Sequence, residues 1–294
     1  MQLYETTLSY PAPNAVAFSP NGRHLAVGGG GAIGVIDTLT GGVTTFALGE
    51  SYWTPAGLGF ASDGGLVTSY ADAIWEYYPS DDRPGRRWGA PGSGPVVSAP
   101  DGKVIFAAAR DDKGFSRIER WDGATMKPLP GFGRHRGRLV AIAVSADGKR
   151  FAGVGGKWVR TWNLAGDEPP ARATCQIKTA GWAKVLALSK DGGLLAAAVR
   201  NRVVVWDART GAERFHHTRH SRAVNAVAVG PVRPVLVSGG NDGLVFINDA
   251  ETGKERRRLE WGIGEVIGLA FAPDGLRCAA TGRYGKVVVW DVDE

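Results

Sequence analysis

One short phrase recurs along the whole chain, and such internal repetition constrains the fold more than any other feature. It reads FSPNG from Phe18, FASDG from Phe60, SAPDG from Ser98, VSADG from Val144, LSKDG from Leu188 and FAPDG from Phe271, with a degenerate VGPVR from Val229. Successive copies start at 18, 60, 98, 144, 188, 229 and 271. A second phrase follows each copy: a β-branched run closing on Trp-Asp or a relative. It ends at Asp37, Asp122, Asn163, Asp207, Asp249 and Asp291. In the second repeat, Tyr77-Tyr78 fits this place best and Trp75-Glu76 competes for it. Two independent signals thus share one period of about 42 residues, the range of stacked sheet repeats.

Each unit reads as four short antiparallel strands. Apolar stretches such as Val224 to Val229 have strand length. Asp-Gly or Asn-Gly then supplies the positive φ of a tight turn. A second apolar strand such as Leu194 to Val199 follows, then a third such as Val203 to Trp206, a Thr-Gly turn, and a more polar fourth strand. One such sheet cannot cover both its faces alone, but units arranged in a ring cover one another. A Trp closing the third strand suits the gap between sheets. Burying ~150–250 Å² of indole at ~25 cal/mol/Å² is worth roughly 4–6 kcal/mol before entropy costs. Trp121, Trp162, Trp206 and Trp290 are therefore expected to be structural.

The seventh repeat stops at WDVDE, just after its third strand, whereas Leu3 to Leu8 is strand-like and precedes the first repeat. The N-terminal segment is expected to complete the last sheet and so remove an exposed edge.

These phrases resemble the WD40 repeat family over essentially the whole chain. The resemblance implies an all-β fold: a seven-bladed β-propeller with four-stranded antiparallel blades, forming a single domain over 1–294. The expected units are 1–10 (outer strand of blade 7), 11–49 (blade 1), 50–88 (blade 2), 89–133 (blade 3), 134–178 (blade 4), 179–218 (blade 5), 219–260 (blade 6) and 261–294 (blade 7). Family repeats open with Gly-His, and here Arg134-His135 and Arg219-His220 fit that place. The resemblance also implies a hydrogen-bonded set of His, Ser or Thr, Asp and Trp inside a blade. The sixth repeat offers His220, Ser238 and Asp242, with Asn248 in place of the Trp, and the fourth offers His135 and Trp162 without the Asp.

By the same resemblance, the loops from fourth to first strands and from second to third strands line the docking end of the ring. Trp53, Trp88, Trp182 and Trp261 are expected there, outside the structural Trp position, with Arg134, Arg136, Arg138, Arg219 and Arg222 in matching loops. Arg200, Arg283 and Tyr284 occupy the other loop family. Aromatic residues with Arg are what interface hot spots favour. The competing reading has the four indoles wedged between blades.

No GxSxG, HExxH or CxxC motif occurs, and the first strands offer only Asn14 and Asn225 toward a channel, so no catalytic residue, cofactor or metal is expected. His216, His217 and His220 lie close together, but alternation points His216 and His217 to opposite faces. KERRRL at Lys254 to Leu259 reads as a charged outer strand, and the Gly28 to Gly31 run lacks the Lys and helix of a phosphate loop. The pairs Asp81-Asp82 and Asp111-Asp112 sit in different loops.

The predicted function is a protein–protein interaction scaffold binding a peptide or protein on the loop-bearing end. Nucleic acid or another polyanion is the alternative, since Lys plus Arg number 35 against 29 acids and the pI is near 9.4. A channel-mouth ligand binder or enzyme is the second alternative. With Cys175 and Cys278 unpaired by any motif, no basic-apolar leader, and no apolar run near the ~20 residues of a membrane span, a stand-alone cytoplasmic monomer without membrane contact is expected.

Overall fold

The computed structural model describes residues 2–10, 13–47, 55–70, 73–78, 85–88, 94–111, 113–166, 169–170 and 172–293. Among them the chain forms seven four-stranded antiparallel sheets and no helix. The first strand is β1 (Gln2–Thr7). Blade 1 holds β2 (Pro13–Phe18), β3 (His24–Gly29), β4 (Ala32–Asp37) and β5 (Val43–Ala47). Blade 2 holds β6 (Leu58–Phe60), β7 (Leu66–Tyr70), β8 (Ala73–Tyr77) and β9 (Arg86–Trp88). Blade 3 holds β10 (Val96–Ser98), β11 (Val104–Arg110), β12 (Phe115–Asp122) and β13 (Pro128–Arg136). Blade 4 holds β14 (Ala141–Val144), β15 (Arg150–Gly155), β16 (Trp158–Asn163) and β17 (Cys175–Lys178). Blade 5 holds β18 (Ala183–Leu188), β19 (Leu194–Val199), β20 (Arg202–Asp207) and β21 (Glu213–His217). Blade 6 holds β22 (Val224–Val229), β23 (Val235–Gly240), β24 (Leu244–Asp249) and β25 (Glu255–Glu260). Blade 7 consists of β26 (Val266–Phe271), β27 (Arg277–Gly282), β28 (Lys286–Asp291) and β1. Each innermost strand touches the innermost strand of both neighbouring blades, β2 meeting β26 as well as β6, so the ring closes.

The recurring phrases are turns with a shared hydrogen-bond logic. After the first strand, the Ser hydroxyl donates to the turn carboxylate (Ser189 Oγ to Asp191 Oδ1, 2.7 Å) and accepts the backbone N–H of Leu194 at 2.9 Å. Ser145 with Asp147 and Arg150 repeats this geometry. After the third strand, Asp207 Oδ1 accepts the N–H groups of Arg209 (3.0 Å) and Thr210 (2.8 Å), and Asp37, Asp122 and Asp249 do likewise. These bonds hold the Asp207 and Asp37 carboxyls below their ordinary pKa. The residue that follows takes a left-handed φ, Gly in three blades and Met126 in blade 3.

The third-strand Trp side chains point back at the preceding blade. Trp162 is 1% exposed and packs in T-shaped contacts on Phe132 and Phe151, each 5.9 Å away. Trp206 belongs to the core between blades 4 and 5, and Trp290 to that between blades 6 and 7. In blade 2, Tyr77 faces Leu66 as Trp206 faces Leu195, so Tyr77 holds the Trp place and Trp75 stacks beside it at 6.3 Å.

Ring closure joins the two ends of the described chain. β1 pairs with β28 from Gln2 opposite Trp290 to Thr7 opposite Lys286, and Leu8 donates to the Gly285 carbonyl at 2.9 Å. Tyr10 then locks the segment to blade 1: its hydroxyl donates to the Val27 carbonyl and accepts the Gly34 N–H, both at 2.5 Å. Gly34 is required by this approach, because a Cβ there would sit 2.8 Å from Leu8 and 2.9 Å from the Tyr10 hydroxyl.

One buried titratable group gives the ring a pH limit. His217, on β21, is pushed down to about 4, first by burial and then by the charges of Arg219, His220 and His216. The unfolded chain takes up this proton near pH 6.5 and the folded chain resists it, so stability is complete above pH 6.5 and falls as pH drops toward 4. The loss expected at pH 4 is roughly 2–3 kcal/mol. Denaturant melts between pH 7 and 4 should show it, and His217→Leu should flatten that slope.

Candidate binding surface

Loops of two kinds meet at one end of the ring, and backbone bonds stitch them together. Thr179 donates to the Lys157 carbonyl at 2.9 Å, Val224 to that of Arg200 at 2.8 Å, and Asn241 to that of Ala223 at 2.9 Å. Arg283 donates to the Glu265 carbonyl at 2.9 Å. A loop fixed at both flanks presents its side chains with little ordering cost on binding.

His220 anchors the platform from below. Its Nδ1 lies 3.0 Å from both Asp242 carboxylate oxygens and its Nε2 lies 3.0 Å from Ser238 Oγ. A carboxylate can only accept, so Nδ1 carries a proton, and in the neutral ring Nε2 accepts from the Ser238 hydroxyl. Asp242 also accepts the Ser221 N–H at 3.0 Å, which ties down the loop leading into blade 6. Phe246 packs edge-on against the imidazole at 4.7 Å. Asn248, at the Trp place of this blade, is fully buried and too short to join the set; neither amide atom has a partner among the described residues.

Of the four indoles expected on this end, Trp53 lies outside the described residues. Trp88 is not in a loop: it ends β9, is 7% exposed and packs 6.1 Å from Trp121. Trp261 is half-buried, 4.7 Å from Trp290. The neighbouring blade's structural Trp captures each of these two, which is the wedging alternative. Trp182 alone of the three described is exposed, at 67%.

The arginines divide as well. Arg134, His135 and Arg136 lie on β13, not in a loop opening blade 4, because the tight turn at Asp111–Gly114 lets β12 begin early and β13 run on opposite it to Arg136. Arg134 stacks over the Phe115 ring at 3.9 Å. The His135 imidazole is buried, and burial with the nearby charge of Arg160 lowers its pKa. Arg219 turns to the outer rim, pairing with Glu255 at 2.9 Å and donating to the Gly253 carbonyl at 3.1 Å. Arg283 pairs with Glu265 at 2.6 Å. Arg136, Arg200 and Arg222 stay exposed with no ion-pair partner among the described residues, and Tyr284 is 72% exposed.

Two exposed lysines join this set without having been singled out in the sequence. Lys157 follows Gly156 in the turn between second and third strands, as Asn201 follows Arg200. Lys184 is the second residue of its innermost strand, the place that Asn14 and Asn225 occupy in theirs. That register was readable from the repeats.

The central channel, a cavity of about 270 Å³, has Asn14, Lys184 and Asn225 among otherwise mainly apolar lining. Asn225 donates to the Val266 carbonyl at 3.0 Å and to Asn241. Among the described residues no group of three or more His, Cys, Asp or Glu is placed to hold a metal ion. His216 pairs with Glu213 at 2.6 Å, away from His220 and its partners. No helix of the described residues is long and apolar enough to cross a membrane.

The model of the WD domain, G-beta repeat matches residues 6–37 and 213–249, which here are most of blade 1 with its latch and the stretch from β21 to β24. Among curated proteins, the chain is similar to the small ribosomal subunit protein RACK1y of Oryza sativa subsp. japonica, 38% identical over 64 residues that cover 22% of this chain and 19% of that protein. It is also similar to the small ribosomal subunit protein RACK1 of Caenorhabditis elegans, 28% identical over 138 residues, 47% of this chain and 35% of that protein. The matches therefore span a fifth to about a third of these relatives' length. The chain is thus a seven-bladed β-propeller in which two separate stretches match the WD domain, G-beta repeat.

Proposed function

We propose that this protein is a non-catalytic interaction platform that binds a protein or peptide partner on its loop-bearing end. The observation that carries the reading is Trp182: a large apolar side chain left 67% exposed on a rigid, cation-bearing surface. An exposed indole is the kind of anchor that interfaces bury. The weak similarity to RACK1 proteins supports a role in assembly rather than chemistry. Affinity capture from native lysate with Trp182→Ala, Arg222→Ala and Tyr284→Ala combined is expected to lose the partners that the wild type retains. Equal recovery of every partner would place docking elsewhere.

A nucleic-acid reading stands second, favoured by the basic pI and by relatives whose names place them in the ribosomal subunit. It requires binding that weakens steeply with salt. Unchanged electrophoretic mobility of DNA and RNA at low ionic strength would remove it.

A further inference from the structure

Resting on that platform reading, we infer that the notch between blades 4, 5 and 6 binds an acidic peptide segment, its carboxylates on Lys157, Lys184 and Arg200 and an apolar side chain against Trp182. The notch has a volume of about 370 Å³, and its floor is small and apolar, with Ala198 and Val224. No Asp or Glu lines it, and none of its three cations has an ion-pair partner among the described residues.

That vacancy of negative charge follows from the repeat. Asp147, Asp191 and Asp274 sit in the turns after the first strands, and Asp37, Asp122, Asp207 and Asp249 in those after the third. Both turn families lie at the opposite end, where Asp37, Asp207, Asp249 and Asp274 pair with arginines. The carboxylates that recur with the repeat thus face away from the notch, and its three cations are left to attract an acidic segment.

Arg200 adds an independent mark. Its φ is +60°, a left-handed conformation that side chains other than Gly adopt at a cost. The equivalent residues in blades 1 and 4 are Gly30 and Gly156, at +51° and +63°. Blade 5 thus carries a guanidinium where its sisters carry the residue the backbone prefers. A peptide fits better than a nucleic-acid strand. Three unpartnered cations gather in one notch beside a single indole, while Arg136 and Arg222 lie outside it and Arg219 and Arg283 are neutralised by Glu255 and Glu265. A phosphate backbone needs a continuous cationic track.

The test is fluorescence anisotropy of a short labelled peptide of Asp and Glu around one Leu, with full-length protein. The wild type should bind it at least about tenfold more tightly than the Asn/Gln counterpart, and Arg200→Gly and Trp182→Ala should each weaken binding about tenfold. Arg200→Gly relieves the backbone, so misfolding does not confound it. Leu39→Ala, 76% exposed in a turn at the opposite end of the ring, should bind as the wild type does. Equal affinity for the uncharged peptide, or unaltered binding by both notch variants, overturns the inference, as does displacement by a single-stranded oligonucleotide of equal charge. If the acidic peptide fails to bind while the triple variant still loses its lysate partners, the notch inference falls and the platform reading stands.

Discussion

Removal of residues 1–10 is expected to destabilise the ring by about 5 kcal/mol or more, a large share of an ordinary domain's stability. The segment contributes two buried side chains, Leu8 and Tyr10, to the core between blades 7 and 1. Each is worth ~2–3 kcal/mol of burial. It also pairs with β28 along that strand, and without it the Val287–Trp290 edge would present unpaired backbone next to a β-branched run. The truncated protein should melt roughly 10 °C lower and elute partly as aggregate. A peptide of residues 1–10 added in trans should restore part of the loss. A truncated ring that melts within a degree of the intact one and stays monodisperse would show that the latch does not hold the ends.

The second large effect is expected at Trp162. Trp162→Ala should cost about 3–5 kcal/mol, because the cavity it leaves is walled by Phe132, Phe151 and Gly153 on strands that cannot collapse inward. Gly133 reinforces the fit: a Cβ there would already lie 3.1 Å from the indole. Trp158 gives the internal control, four residues earlier on the same strand and 40% exposed. Trp158→Ala should change stability by less than about 1 kcal/mol. Urea titrations of the two variants test the pair, and similar losses in both would mean that the third-strand Trp does not carry the blade contact.

The strands, turns and blade count were legible because each depends on neighbours close in sequence. Ser189, Asp191 and Leu194 close their turn within five residues, and Asp207 with Thr210 closes the next within three. Repeating that local pattern seven times leaves a ring as the arrangement that covers every sheet face. The missing fourth strand of the last repeat and the spare strand at the start likewise announced their pairing.

The binding surface was legible only in part. Trp88, Trp182 and Trp261 look alike in sequence, yet Trp121 and Trp290 of neighbouring blades cover two of them and nothing covers the third. Arg134 and Arg136 moved from a loop to a strand because β12 and β13 happen to run long together. Lys157, Lys184 and Arg200 come from three separate segments, and only the ring places them around one notch. The sequence by itself determined what each blade is, since backbone hydrogen bonds and strand periodicity are short-range. The tertiary structure alone decided which side chains remain in water, since that depends on what the next blade offers, far away along the chain.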